Sequence, residues 1–150
     1  MKFARTVAFI LFSLLILGFF EFESAAGLTA TQTPEPQLMS VEDLKGKIGR
    51  GKVTVIDVRD AKSYNASNDR IKGSIYVKVR RLAYRLTFAP LKDVPRDSDV
   101  VTYCACPHDE ASFHAARILL DNGFKRVYVL QGGWDKWRKA NGPMEPRSRG

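Results

Sequence analysis

From Met39 onward the chain alternates compact apolar runs with stretches whose apolar positions recur at helical spacing. "KVTVIDVR" (52–59) is a β-branched run, which predicts a strand covered on both faces. "IYVKV" (75–79), "DVVTYC" (99–104) and "RVYVL" (126–130) predict three further strands. "SVEDLKGKI" begins with Ser40 and carries Asp43 three residues later, a helix start resembling a capping box. "RRLAYRL" sets Leu82 and Leu86 on one helical face. Ala111 to Asp121 predicts a helix with Phe113, Ala116 and Leu120 on a shared face, joined by Ile118 and Leu119 and stopped by Asn122-Gly123. A last short helix is predicted from Trp134 to Lys139, after Gly132-Gly133. Strands alternating with helices imply an α/β domain: a mostly parallel sheet with helices on both faces.

Such sheets bind ligands beyond the carboxyl ends of their strands. Asp57 and Arg59 end one predicted strand, Cys104 ends another, and Gly132-Gly133 follow a third. The candidate site is therefore the segment "VVTYCACPHDEAS" (100–112), which holds both cysteines of the chain. Two cysteines at this spacing are open to several readings: a metal site, a disulfide, an activated thiolate or core packing. Cys104, Cys106, His108 and His114 match no common zinc spacing, so no metal is expected. Cysteine phosphatases require an Arg six positions after the nucleophile to clamp phosphate. Here those positions hold Glu110 (from Cys104) and Ser112 (from Cys106), which excludes phosphate transfer.

The N-terminal residues do not belong to the domain pattern. Lys2 and Arg5 precede an uncharged run from Thr6 to Phe20, followed by Ser24, Ala25 and Ala26 as small residues suited to cleavage. This is the layout of a secretory signal peptide over residues 1–26, implying an exported (periplasmic or secreted) protein. The alternative is an uncleaved membrane anchor formed by residues 6–20. Residues 27–37, within the Thr/Pro/Gln-rich "GLTATQTPEPQL", read as a linker. The net charge of +8 favours anionic small molecules, acidic headgroups or simple solubility, and export disfavours a nucleic-acid partner.

Residues 38–146 resemble a rhodanese-like domain, leaving 147–150 as a tail. The resemblance rests on "VIDVRD" (55–60), Tyr64 with "RIKGSIYV" (70–77), "VVTYC" (100–104) and "AARILLDNGFKRVYVLQGGWDKW" (115–137). It implies an α/β fold around a mainly parallel five-stranded sheet. It also implies a sulfurtransferase whose loop cysteine carries sulfane sulfur as a persulfide, without a cofactor. Partners would be a small sulfur donor or protein persulfide and a thiol acceptor, and a membrane only if the N-terminal segment is retained. A thiolate is the attacking species, and a helix N-terminus would lower the cysteine pKa.

The resemblance does not by itself say which cysteine matches. Counting from the strand selects Cys104, whereas counting back from Ser112 selects Cys106, the preferred carrier. Pro107 would then open the helix with Cys106 as its cap. His108 and Ala111 complete the loop, and Asp109 and Glu110 would repel thiosulfate unless they turn outward as helix-capping groups. Asp57 and Arg59 are expected to support the loops as an ion pair, with Arg80, Arg81 and Arg85 as a nearby basic cluster. The missing loop Gly and Arg also admit a silent interaction module. A Cys104–Cys106 disulfide is the redox alternative, and a hybrid of the two has the second cysteine resolve a persulfide on the first, releasing sulfide.

Overall fold

The computed structural model describes residues 34–147. The signal-peptide reading of residues 1–26 and most of the linker fall outside the described residues. In chain order the elements are β1 (Gln37–Met39), α1 (Val41–Ile48), β2 (Thr54–Asp57), α2 (Ala61–Asn65), β3 (Asp69–Ile71), β4 (Ile75–Tyr76), α3 (Leu82–Arg85), β5 (Asp99–Tyr103), α4 (Glu110–Asp121), β6 (Arg126–Leu130), α5 (Gly133–Lys139) and β7 (Met144–Pro146). Short 3-10 turns lie at Val79–Arg81 and Leu91–Asp93.

Five strands form one sheet in the order β1-β6-β5-β2-β4, and every neighbouring pair is parallel. The central strand β5 is buried along its whole length, which explains why its sequence shows no polar alternation. Alternate residues send their side chains into two separate cores. Ile56, Val100, Val127 and Val129 pack with Leu82 of α3 and with Ala115, Ala116 and Leu119 of α4. Val55, Val101, Tyr103 and Leu130 pack on the other face with Leu44 of α1 and Trp134 and Trp137 of α5. Helices thus cover both faces. β3 and β7 make a small antiparallel pair, reinforced by an Arg70–Glu145 ion pair of 2.8 Å.

Several elements depart from the sequence pattern for identifiable reasons. β1 draws Gln37, the last residue of the expected linker, into the sheet, where it pairs with Tyr128 of β6. The strand expected over 75–79 stops at Tyr76. Val77 still donates to Asp57 O at 2.9 Å, but β2 ends at Asp57 and offers the chain no further ladder. In α4 the buried stripe is Ser112, Ala115, Ala116, Leu119 and Leu120, so Phe113 falls one position off that face and is 38% exposed. Ser40 accepts from Asp43 N at 3.1 Å and starts α1.

Candidate active site: the Cys104–Cys106 loop

The strand order reverses between β5 and β2: the chain leaves β2 toward β4 on one side and β5 toward β6 on the other. The carboxyl ends of these two strands flank the switch point where parallel α/β sheets form ligand crevices. Val58 and Arg59 follow β2, and Cys104 follows β5. Between them is an open cleft of about 390 Å3. The segment after β2 contributes Asp60 and Ala61 to its wall, the segment after β4 contributes Lys78 and Arg80, the loop contributes Cys104 and Cys106, and the first turn of α4 contributes Ala111.

Cys104 and Cys106 are joined by a disulfide, with Cα atoms 5.7 Å apart, inside the range that such bonds span. The two sulfurs differ in access. Cys104 is 1% exposed and belongs to the core against α4, whereas Cys106 is half-buried at the cleft. Cys106 N–H donates to Cys104 Sγ at 3.4 Å.

Two hydrogen bonds from the β6–α5 turn hold the loop from below. Trp134 N–H donates to Cys104 O at 2.8 Å, and Gly132 N–H donates to Asp109 Oδ2 at 2.9 Å. This approach requires glycine at 133: φ is +47°, and a Cβ there would lie 2.3 Å from Cys104 O. The Gly-Gly-Trp signature is thus the buttress of the cysteine loop.

The expected roles of Pro107 and Asp109 are corrected by this geometry. α4 begins at Glu110 with Asp109 as its N-cap at φ +56°, so Pro107 does not open the helix and Cys106 does not cap it. Pro107 and His108 instead form an exposed turn, closed by Asp109 N–H donating to Cys106 O at 3.4 Å. Asp109 does not turn outward. It is 8% exposed, and its carboxylate serves Gly132 rather than the helix. Glu110 is exposed, and Ser112 is buried with its carbonyl accepting from Thr102 Oγ1 at 3.0 Å. Neither Asp109 nor Glu110 lines the cleft.

Asp57 and Arg59 lie at 0% and 1% exposure beside the cleft. Arg59 grips the carboxylate with two parallel bonds, Nη2 to Oδ2 at 2.6 Å and Nε to Oδ1 at 3.0 Å. The Tyr103 hydroxyl donates to Asp57 Oδ2 at 2.6 Å. Aromatic rings enclose the guanidinium: Trp134 at 4.3 Å, Tyr64 at 5.1 Å and Tyr103 at 5.7 Å from Arg59 Cζ. Burial works against the Arg59 charge, but Asp57 outweighs it and holds the guanidinium above its ordinary value. Burial first, then the neighbouring Asp57 carboxylate, pushes the Tyr103 phenol far above the usual tyrosine range.

This cluster ties the ends of β2 and β5 to α5 and, through Arg59 Nη2 and Asp69 O at 3.2 Å, to β3. Sequence reasoning named Asp57 and Arg59 but not the aromatic cage, because Tyr64, Tyr103 and Trp134 are far apart in the chain. Lys78 was also missed. Arg80 reaches the cleft, whereas Arg81 and Arg85 line a separate surface depression with Tyr76. Among the described residues, no group of His, Cys, Asp and Glu is placed to hold a metal ion.

A parallel α/β domain with a cysteine loop at the sheet's switch point defines a class of thiol-bearing domain. The Rhodanese-like domain family matches residues 40–140, and the chain belongs to that family. It is 34% identical over 103 residues to the thiosulfate sulfurtransferase GlpE of Shewanella oneidensis, covering 69% of this chain and 93% of that one. Among solved structures, the Alr3790 protein of Anabaena sp. is 28% identical with a TM-score of 0.61, covering 73% of this chain and 82% of that one. The BH2092 protein of Bacillus halodurans is 30% identical, also with a TM-score of 0.61, covering 73% and 77% respectively.

Proposed function

We propose that this chain is an exported sulfurtransferase that carries sulfane sulfur as a persulfide on Cys106. The observation that carries the reading is the difference in exposure of two cysteines that both line the cleft: Cys106 is half-buried, whereas Cys104 is 1% exposed within the core. The disulfide occupies both sulfurs, so the active form is the reduced one. In that form the Cys106 thiolate attacks the donor's sulfane sulfur and the donor's S–S bond breaks. With thiosulfate as donor, sulfite leaves and the Cys106 persulfide remains. A thiol acceptor then takes the outer sulfur and regenerates the thiolate.

An anionic donor suits the cleft. The acids that would have repelled it point elsewhere, while Lys78 and Arg80 supply positive charge beside Asp60. Similarity to a thiosulfate sulfurtransferase supports the same choice. The test is single-turnover sulfite release from pre-reduced protein mixed with thiosulfate, with intact-mass spectrometry of each form. Cys104→Ser should release one equivalent of sulfite and gain the mass of one sulfur atom, and Cys106→Ser should do neither. Loading that survives in Cys106→Ser would overturn the assignment. Export rests on the sequence pattern of residues 1–26, and an extracytoplasmic protein still bearing those residues would refute cleavage.

A further inference from the structure

We infer that Cys104 is a resolving thiol for the Cys106 persulfide, so that the loop discharges its sulfur as sulfide and closes into the Cys104–Cys106 disulfide. The inference rests on Cys106 being the carrier, and it adds a second activity: dithiol-driven reduction of sulfane sulfur within one loop.

A thiol in the position of Cys104, 1% exposed and packed against α4 at the floor of the cleft, is far less open to a donor or acceptor from solution than Cys106. The loop nevertheless holds it within bonding reach of Cys106, with Cα atoms 5.7 Å apart. The loop is fixed in that arrangement by Trp134 N–H on Cys104 O and by Gly132 N–H on Asp109. Cys106 N–H points at Cys104 Sγ, where it stabilises negative charge as the thiol loses its proton. Holding two reactants in this geometry makes the reaction unimolecular, and an external acceptor must compete with it.

Cys104 Sγ attacks Cys106 Sγ, the inner sulfur of the persulfide, and the Cys106–sulfane bond breaks. The outer sulfur leaves as hydrosulfide, carrying the electron pair of the broken bond and the proton given up by Cys104. Two thiol-level sulfurs are oxidised to the disulfide, and the sulfane sulfur is reduced to sulfide. An external dithiol then attacks the accessible Cys106 Sγ, releases Cys104 and returns the loop to its reduced form.

The experiment uses pre-reduced protein freed of reductant and given one equivalent of thiosulfate, with sulfite and sulfide measured separately. The wild type is expected to release both in equal amounts and to end lighter by two hydrogen atoms. Cys104→Ser and Cys104→Ala are expected to keep one sulfur atom for each sulfite they release, and to release at least tenfold less sulfide per sulfite than the wild type. A wild-type protein that releases sulfite but keeps its sulfur overturns the resolving role and leaves the carrier intact. Absence of sulfite from every form instead overturns the sulfurtransferase reading on which the inference rests. Circular dichroism of the two Cys104 variants shows whether each result comes from a folded protein.

Discussion

Replacement of Arg59 by Met tests whether the buried pair beside the cleft supports the domain or merely decorates it. Both side chains are fully buried, and Arg59 Nη2 lies 2.6 Å from Asp57 Oδ2. Met fills much of the arginine's volume but leaves the buried Asp57 carboxyl with only the Tyr103 hydroxyl and the residue-59 backbone N–H, at 2.6 and 3.1 Å, as donors. Removing one partner of a buried pair costs about 3–5 kcal/mol. One offset exists: Arg59 Nη1 has no hydrogen-bond partner, so part of the guanidinium's desolvation is not recovered in the native protein. The expected loss is therefore about 3 kcal/mol, the lower part of that range. Whole domains are stable by only about 5–15 kcal/mol. With a urea m-value of about 2 kcal/mol/M, the unfolding midpoint should fall by roughly 1.5 M. Trp134 stacks against Arg59, so its fluorescence reports the transition directly. Asp57→Asn should cost a comparable amount, and the double variant Asp57→Asn/Arg59→Met should be more stable than the two single losses added together. An exposed pair would contribute at most about 1 kcal/mol. A single-variant loss below that value, or strict additivity in the double variant, would refute the reasoning.

Two further outcomes are expected. The native Tyr103 phenol has its pKa raised by burial and by Asp57, whereas the unfolded phenol ionises near its ordinary value of about 10. Its contribution to stability is complete below that pH and is lost as pH rises above it, at about 1.4 kcal/mol per pH unit. Tyr103→Phe should therefore be less stable at neutral pH, with a shallower decline under alkaline conditions; parallel urea curves across that range would count against the assignment. Gly133→Ala should slow sulfur loading sharply, because its Cβ would clash with the Cys104 backbone oxygen and displace the loop. A displacement of this kind costs roughly a hundredfold in rate. Gly132→Ala is the control: its Cβ would meet only the flexible Lys136 side chain, at 3.0 Å, so it should lose stability while retaining most loading. Equal loading by the two variants would disprove the buttress.

Much of this protein is legible in the linear sequence because the relevant forces are local. Unbroken β-branched runs marked β2, β5 and β6, since a strand buried on both faces needs no polar alternation. Ser40 marked the start of α1 because a cap acts on an amide three residues away. The edge strand β1 and the β3–β7 pair were not legible, being only three residues each and stabilised by partners distant in the chain. At the site, the sequence established that both cysteines follow a central strand and that no arginine is available for phosphate.

Tertiary structure decided the rest. Asp109 looked like an outward helix cap because sequence shows only its own helix, whereas a glycine amide 23 residues away claims its carboxylate. Cys104 and Cys106 are equivalent as letters in a CxC pair. They differ in the fold because the end of β5 buries Cys104 in the core under α4, while the next turn leaves Cys106 only half-buried at the cleft that both line. Residue types determined that sulfur chemistry was available; burial, which depends on every element packed around the loop, decided which sulfur meets the solvent.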